Sequence, residues 1–314
     1  MGPRHFPALD AVRSIACLMV LSGHLVSERL APAAWLHGQE TPPWWFGSAM
    51  FFFGNGVLGV RVFFVLSGFL ITYLMLEEYA KTGRFSVKAF FIRRSLRILP
   101  LYYTVVAFIY GLYPWLLQVL GFPRPIDERF WMQVFFLSNF EQIRVLSTPG
   151  LTQNPMVALL WSVSVEEQFY LFWAFAVFAA GAGRVSWLAL AALLVSFAAQ
   201  IYGHKDLVYL ASHTLPNFFF LAGGALTACV FQRHQAACRT FFGRLGYPVC
   251  VVVSLALLGL ALLFGLTSLD YPWAHPLYAL ATTLCCCWVF VTQIWRADAH
   301  WGLARIRPLV ALAK

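Results

Sequence analysis

Eight stretches of roughly twenty mostly apolar residues recur along the chain, at 9–28, 57–77, 97–120, 161–180, 186–203, 207–231, 247–267 and 275–295. Crossing a bilayer takes about 20 helical residues, and the hydrocarbon leaves no water to satisfy an open backbone. The stretches predict an all-α fold: a polytopic transmembrane helical bundle of about eight spans, forming one membrane-embedded domain over 1–314. Segment 130–140 is apolar but only about half a span long, which predicts a re-entrant or interfacial piece. Composition agrees, because 11% of the residues are charged where a soluble domain carries about a quarter. Arg4 before an apolar run and Ala-Pro-Ala-Ala at 31–34 imitate a signal peptide. Asp10 and Arg13 interrupt that run and many spans follow it, so the first helix is read as uncleaved.

The formal charge of +9 raises nucleic acid as a partner. However, the basic residues sit in short loops between apolar stretches, as the positive-inside rule describes, and no nucleic-acid partner is expected. The clusters are Lys81 to Arg97, Arg233 to Arg244, and Arg296 to Arg307. Placing all three in the cytoplasm requires an even number of crossings between each pair, and leaving 130–140 uncounted gives that parity. The N-terminus is then cytoplasmic, and 29–56, 121–160, 204–206 and 268–274 lie outside. The seven cysteines, such as Cys285, Cys286 and Cys287, fall mostly in apolar runs without C-x-x-C spacing beside histidines. Buried thiols are expected rather than disulfides, and no metal.

Ionisable residues inside spans are costly and mark candidate sites. Arg13 and His24 are eleven positions apart on the first helix, which places them on one face about 16 Å apart along the axis. Arg61 lies about one turn into the second span, and Glu166 and Glu167 lie at similar depth in the span that starts near Trp161. Depth counting brings His24, Arg61 and one glutamate toward a common outer level. A neutral imidazole beside a carboxylate suits a general base, while an Arg–Glu pair holding helices together is the structural alternative. At the other end, Arg93, Arg94 and Arg97 open the third span. Guanidinium forks suit the phosphate of a cytoplasmic ligand, and equally a lipid phosphate or plain topology signalling.

Four segments carry a resemblance: Leu-Asp-Ala-Val-Arg-Ser-Ile-Ala at 9–16 with His24, Gly-Val-Arg-Val-Phe-Phe-Val-Leu-Ser-Gly-Phe-Leu-Ile-Thr at 59–72, Arg-Arg-Ser-Leu-Arg-Ile-Leu-Pro at 93–100, and Trp-Ser-Val-Ser-Val-Glu-Glu-Gln-Phe-Tyr at 161–170. In this order and spacing they resemble the acyltransferase 3 family of integral membrane acyltransferases. The motif-bearing match covers about 5–173, and the chain looks shortened at its C-terminus, without the family's last spans. The resemblance implies transfer of an acyl group, most often acetyl, from cytoplasmic acyl-CoA to a hydroxyl of a cell-surface glycan or lipid-linked sugar. It also implies a bacterial inner (plasma) membrane location and membrane lipid as surroundings. By motif position, Arg13 and His24 match the family's arginine–histidine pair, Arg94 and Arg97 its donor-binding arginines, with Arg93 beside them, and Glu166 its glutamate.

The expected mechanism is direct transfer. His24 takes the acceptor's proton, Glu166 orients and supports it, and Arg61 or Arg13 stabilises the developing negative charge. An acyl-enzyme on Ser67 or Ser164 is the other route, although Ser-Gly at 67–68 also suits a close helix contact. A multi-pass transporter and a noncatalytic membrane protein are the rival functions.

Overall fold

The computed structural model describes residues 6–25, 56–122, 126–295 and 302–312. Residues 29–55 of the expected loop 29–56, the end of the first span at 26–28, Arg296 and the terminal Lys314 lie outside the described residues. The described secondary structure is helical. In order, the helices are α1 (Pro7–Leu25), α2 (Gly56–Thr82), α3 (Val87–Val119), α4 (Phe130–Val134), α5 (Ser138–Ser147), α6 (Pro155–Ala158), α7 (Trp161–Ala180), α8 (Val185–Tyr202), α9 (Leu207–Ser212), α10 (Thr214–Arg233), α11 (Gln235–Arg244), α12 (Tyr247–Asp270), α13 (His275–Trp295) and α14 (Arg307–Leu312).

Seven of the described helices are long and apolar enough to cross a membrane: α1, α2, α3, α8, α10, α12 and α13. The sequence predicts eight. The difference is α7, whose 20 residues give sufficient length but whose Glu166, Glu167 and Gln168 lower its hydropathy. Segment 130–140 is not a continuous helix. It breaks between α4 and α5 at Phe136, whose φ of 54° is unusual for a bulky residue. The Phe136 ring stacks 4.4 Å from that of Tyr102, which holds the break in place. Phe130, Trp131 and Phe135 are exposed, a pattern that suits an interfacial piece.

Two compact units make up the chain: Met1–Leu74 with Phe220–Lys314, and Met75–Phe219. In the first, α2 and α10 meet through glycines. A Cβ on Gly68 would fall 1.9 Å from the carbonyl oxygen of Leu221, and one on Gly224 would fall 1.9 Å from that of Val65. Ser-Gly at 67–68 is therefore a point of close helix approach, as small residues are in membrane bundles. An aromatic cluster of Phe6, Phe69, Tyr73, Phe231 and Phe290 packs beside this crossing. The Ser14 hydroxyl donates to the carbonyl of Leu309, 2.5 Å away, and ties α14 to α1.

In the second unit, α3 starts where the Ser86 hydroxyl accepts the N–H of Ala89 at 3.2 Å, a standard N-cap. It passes Pro100 and a π-helical turn at Phe108–Leu112. Helix α7 runs antiparallel to it. Phe91 meets Phe175 with ring centres 5.9 Å apart, and Tyr102 further along α3 packs in a cluster with Val157 and Leu160, just before α7 begins. Gly181, at φ 71°, ends α7 in the left-handed region that glycine tolerates.

Orientation yields a direct prediction. Cys238 on α11 sits in the basic stretch expected to be cytoplasmic, and burial pushes its thiol pKa up. A membrane-impermeant thiol reagent is expected to reach position 238 from the cytoplasmic side, faster at pH 9 than at pH 7. Labelling from the opposite side would overturn the parity argument.

Candidate active site

The second unit brings two motif residues, Arg94 and Glu166, onto one side chain. Tyr170, fully buried in α7, has the guanidinium carbon of Arg94 4.0 Å from its ring centre. Its hydroxyl donates to Oε2 of Glu166 at 2.9 Å. Glu166 and Tyr170 are four residues apart, the spacing at which helical side chains meet. The adjacent Glu167 has a buried Oε1, and Arg94 a buried Nε, neither with a hydrogen-bond partner among the described residues. Depth counting assigns Arg94 and Glu166 to opposite ends of the protein, yet here they share a neighbour.

The other two arginines differ. Arg93 donates to Glu78 at 3.0 Å, and Glu78 also accepts the N–H of Ser86 at 3.0 Å. Arg97 is exposed one turn beyond Arg94. A half-buried guanidinium with an unmatched N–H beside an exposed one is a donor set that fits phosphate oxygens, whereas Arg93 already has a carboxylate.

Gln168 has a different task. Its side-chain nitrogen donates to the carbonyl of Phe136 at 2.7 Å and to Oδ1 of Asn139 at 2.9 Å, while its oxygen accepts from the Thr214 hydroxyl. It pins the break between α4 and α5 to α7. From α3, the hydroxyls of Tyr102 and Tyr103 donate to the carbonyls of Gln133 and Val134 at 2.8 and 3.0 Å. The carbonyls at the end of α4 thus find partners. Beside them, Glu141 is fully buried. Burial works against its carboxylate, but hydrogen bonds from Arg144 and from the Arg129 backbone outweigh this and hold its pKa below the usual value.

In the first unit, α1 carries Arg13 and His24. Arg13 donates to Asp10 at 3.3 Å, and His24 is half-buried in the last turn. On α2, a Cβ on Gly56 would fall 3.7 Å from Gly23, and one on Gly59 would fall 2.8 Å from the carbonyl of Ala16. The two helices are antiparallel, so Arg61 lies further from the Gly23 end than Gly59 does and sits deeper than His24. The guanidinium of Arg61 lies over the rings of Phe220 and Tyr278, at 5.1 and 4.5 Å. Its NH1 is buried without a hydrogen-bond partner among the described residues. A cation held by ring faces, with a donor to spare, can receive an oxygen that gains negative charge.

Sequence reasoning names Arg13, His24, Arg61, Arg94 and Glu166 but passes over Tyr170 and Gln168. Both lie inside the quoted motif at 161–170. The four-residue step from Glu166 to Tyr170 is the available signal; nothing in one sequence points from Gln168 to Asn139.

A family model described as an acyltransferase domain matches residues 6–314. Among curated proteins, one named "Putative O-acetyltransferase" from Staphylococcus aureus (strain COL) is 34% identical over 171 residues, which is 54% of this chain and 24% of that protein. The peptidoglycan O-acetyltransferase OatA of Listeria monocytogenes is 31% identical over 176 residues, again 54% of this chain and 24% of the relative. The match thus spans about a quarter of the length of these curated relatives. No solved structure matches.

Proposed function

Because the chain belongs to the acyltransferase 3 family, we propose that it transfers an acetyl group from cytoplasmic acetyl-CoA to a glycan hydroxyl across the membrane. The family match over 6–314 carries this reading. Relatives named as peptidoglycan O-acetyltransferases make a peptidoglycan sugar the acceptor to test first. Arg94 and Arg97 hold the donor's phosphates. His24 takes the proton from the acceptor hydroxyl, whose oxygen then attacks the thioester carbonyl. The carbon–sulfur bond breaks, and the proton passes to the departing thiolate. Glu166 supports the charged imidazole, and Arg61 or Arg13 offsets the negative charge on the carbonyl oxygen. The setting is a bacterial inner membrane with the N-terminus in the cytoplasm.

The test is radiolabelled acetyl-CoA supplied to the membrane-reconstituted chain together with soluble peptidoglycan fragments. Alkali-labile label on the fragments, with one thiol released per acetyl, is expected. Intact donor in the presence of folded protein and fragments would reject the reading. For donor binding, Arg94→Ala combined with Arg97→Ala is expected to weaken acetyl-CoA affinity by about tenfold or more, the scale of two lost charge-assisted contacts. An unchanged Kd would return both residues to setting topology.

A further inference from the structure

We propose that Tyr170 is a positioning residue that joins the donor-binding arginine to the acidic residue of the reaction, a role that rests on the acetyl-transfer reading. Its side chain has two functional ends, and each is occupied by a different motif. The ring face seats Arg94, with the guanidinium carbon 4.0 Å from the ring centre. The hydroxyl holds one oxygen of Glu166 at 2.9 Å. Tyr170 has no exposed surface, so neither contact competes with bulk water, and both are stronger than their exposed equivalents.

A buried tyrosine hydroxyl needs a partner, and a hydrogen bond to a charged acceptor is among the stronger kinds. The bond restricts Glu166 to the rotamers that keep Oε2 on Tyr170 and so sets where Oε1 is presented. The ring restricts Arg94 in the same way, leaving its buried Nε without a hydrogen-bond partner among the described residues. An anion that engages Arg94 pulls on a group stacked against the ring that aligns Glu166. Donor occupancy and carboxylate alignment are thus linked through one rigid aromatic side chain.

The two ends separate by substitution. Tyr170→Phe keeps the ring and removes only the hydroxyl, whereas Tyr170→Leu removes both. For acetyl transfer by the full chain in vesicles, Tyr170→Phe is expected to lower kcat by about tenfold or more while the KM for acetyl-CoA stays within about twofold. Tyr170→Leu is expected to lower kcat similarly and also raise that KM by about fivefold or more. Acetyl-CoA affinity measured on Tyr170→Phe supplies the fold control and is expected at the wild-type value. Wild-type kcat in Tyr170→Phe overturns the positioning role while transfer itself stands. Equal losses of kcat and donor affinity in both variants also overturn it, because they report general damage. Absence of transfer by the wild-type chain overturns the underlying reading, and this proposal with it.

Discussion

Replacing Gly224 by leucine is expected to leave no stably folded chain in detergent. A Cβ at this position would stand 1.9 Å from the carbonyl oxygen of Val65 and 2.8 Å from the backbone nitrogen of Phe69. Those atoms are backbone and cannot swing aside, so α2 and α10 would have to separate. Overpacking costs about 1–3 kcal/mol even where side chains can yield. A backbone collision should exceed that and consume much of the roughly 5–15 kcal/mol that a typical domain holds in reserve. Gly68→Leu is expected to act alike, since it meets Leu221 from the other helix. Gly243→Ala is the control. It sits in α11, where an added methyl would meet nothing within 4 Å, and alanine is expected to be neutral or to stabilise by up to about 1 kcal/mol. Thermal midpoints and monodispersity in one detergent compare all three. A folded Gly224→Leu protein with the wild-type midpoint would mean that α2 and α10 do not cross as closely as described.

His24→Ala is expected to lower acetyl transfer by about a hundredfold to ten-thousandfold, the range for a lost general base. The side chain is half-buried in the last turn of α1, away from the aromatic cluster around Phe69. The variant should therefore fold and bind acetyl-CoA with unchanged affinity. Loss of turnover together with retained binding distinguishes a chemical role from a packing one. Turnover within about twofold of wild type would remove His24 from the reaction and leave the transfer without its assigned base.

Much of the fold is legible because membrane helices declare themselves locally. Length and apolarity locate α8, α12 and α13 within about three residues, whereas α3 begins ten residues before the stretch read as the third span and α10 begins seven residues into the stretch read at 207–231. Segment 130–140 is read as too short to cross, and it is not among the described helices long and apolar enough to do so, but its break at Phe136 has no signal in the sequence. The site is legible only as separate motifs. Depth counting takes Arg94 as the opening of a span that starts at 97, whereas α3 begins at Val87 and Arg94 lies two turns inside it, against Tyr170 of α7. Helix α3 has 33 residues, about 50 Å at 1.5 Å per residue against a hydrocarbon core of about 30 Å. Its first turns therefore do not mark the membrane edge, and Arg94 reaches the middle of α7 at Tyr170. Gln168 is illegible for another reason. Its partners come from two distant places in the chain, Phe136 with Asn139, and Thr214, and no helical or strand period links either to Gln168. Helix α7 is legible as a span at 161–180, although Glu166, Glu167 and Gln168 make it more polar than the seven most apolar helices.

For the proposed transfer, the donor must enter from the face that bears the basic loops. Sealed proteoliposomes with acetyl-CoA supplied only outside test this directly, once the vesicles are sorted by whether Cys238 reacts with an impermeant reagent. Transfer should track the fraction of chains whose Cys238 faces the donor and disappear with His24→Ala. Transfer that is equally fast when Cys238 faces away would contradict the arrangement of donor, arginines and histidine on which the mechanism depends.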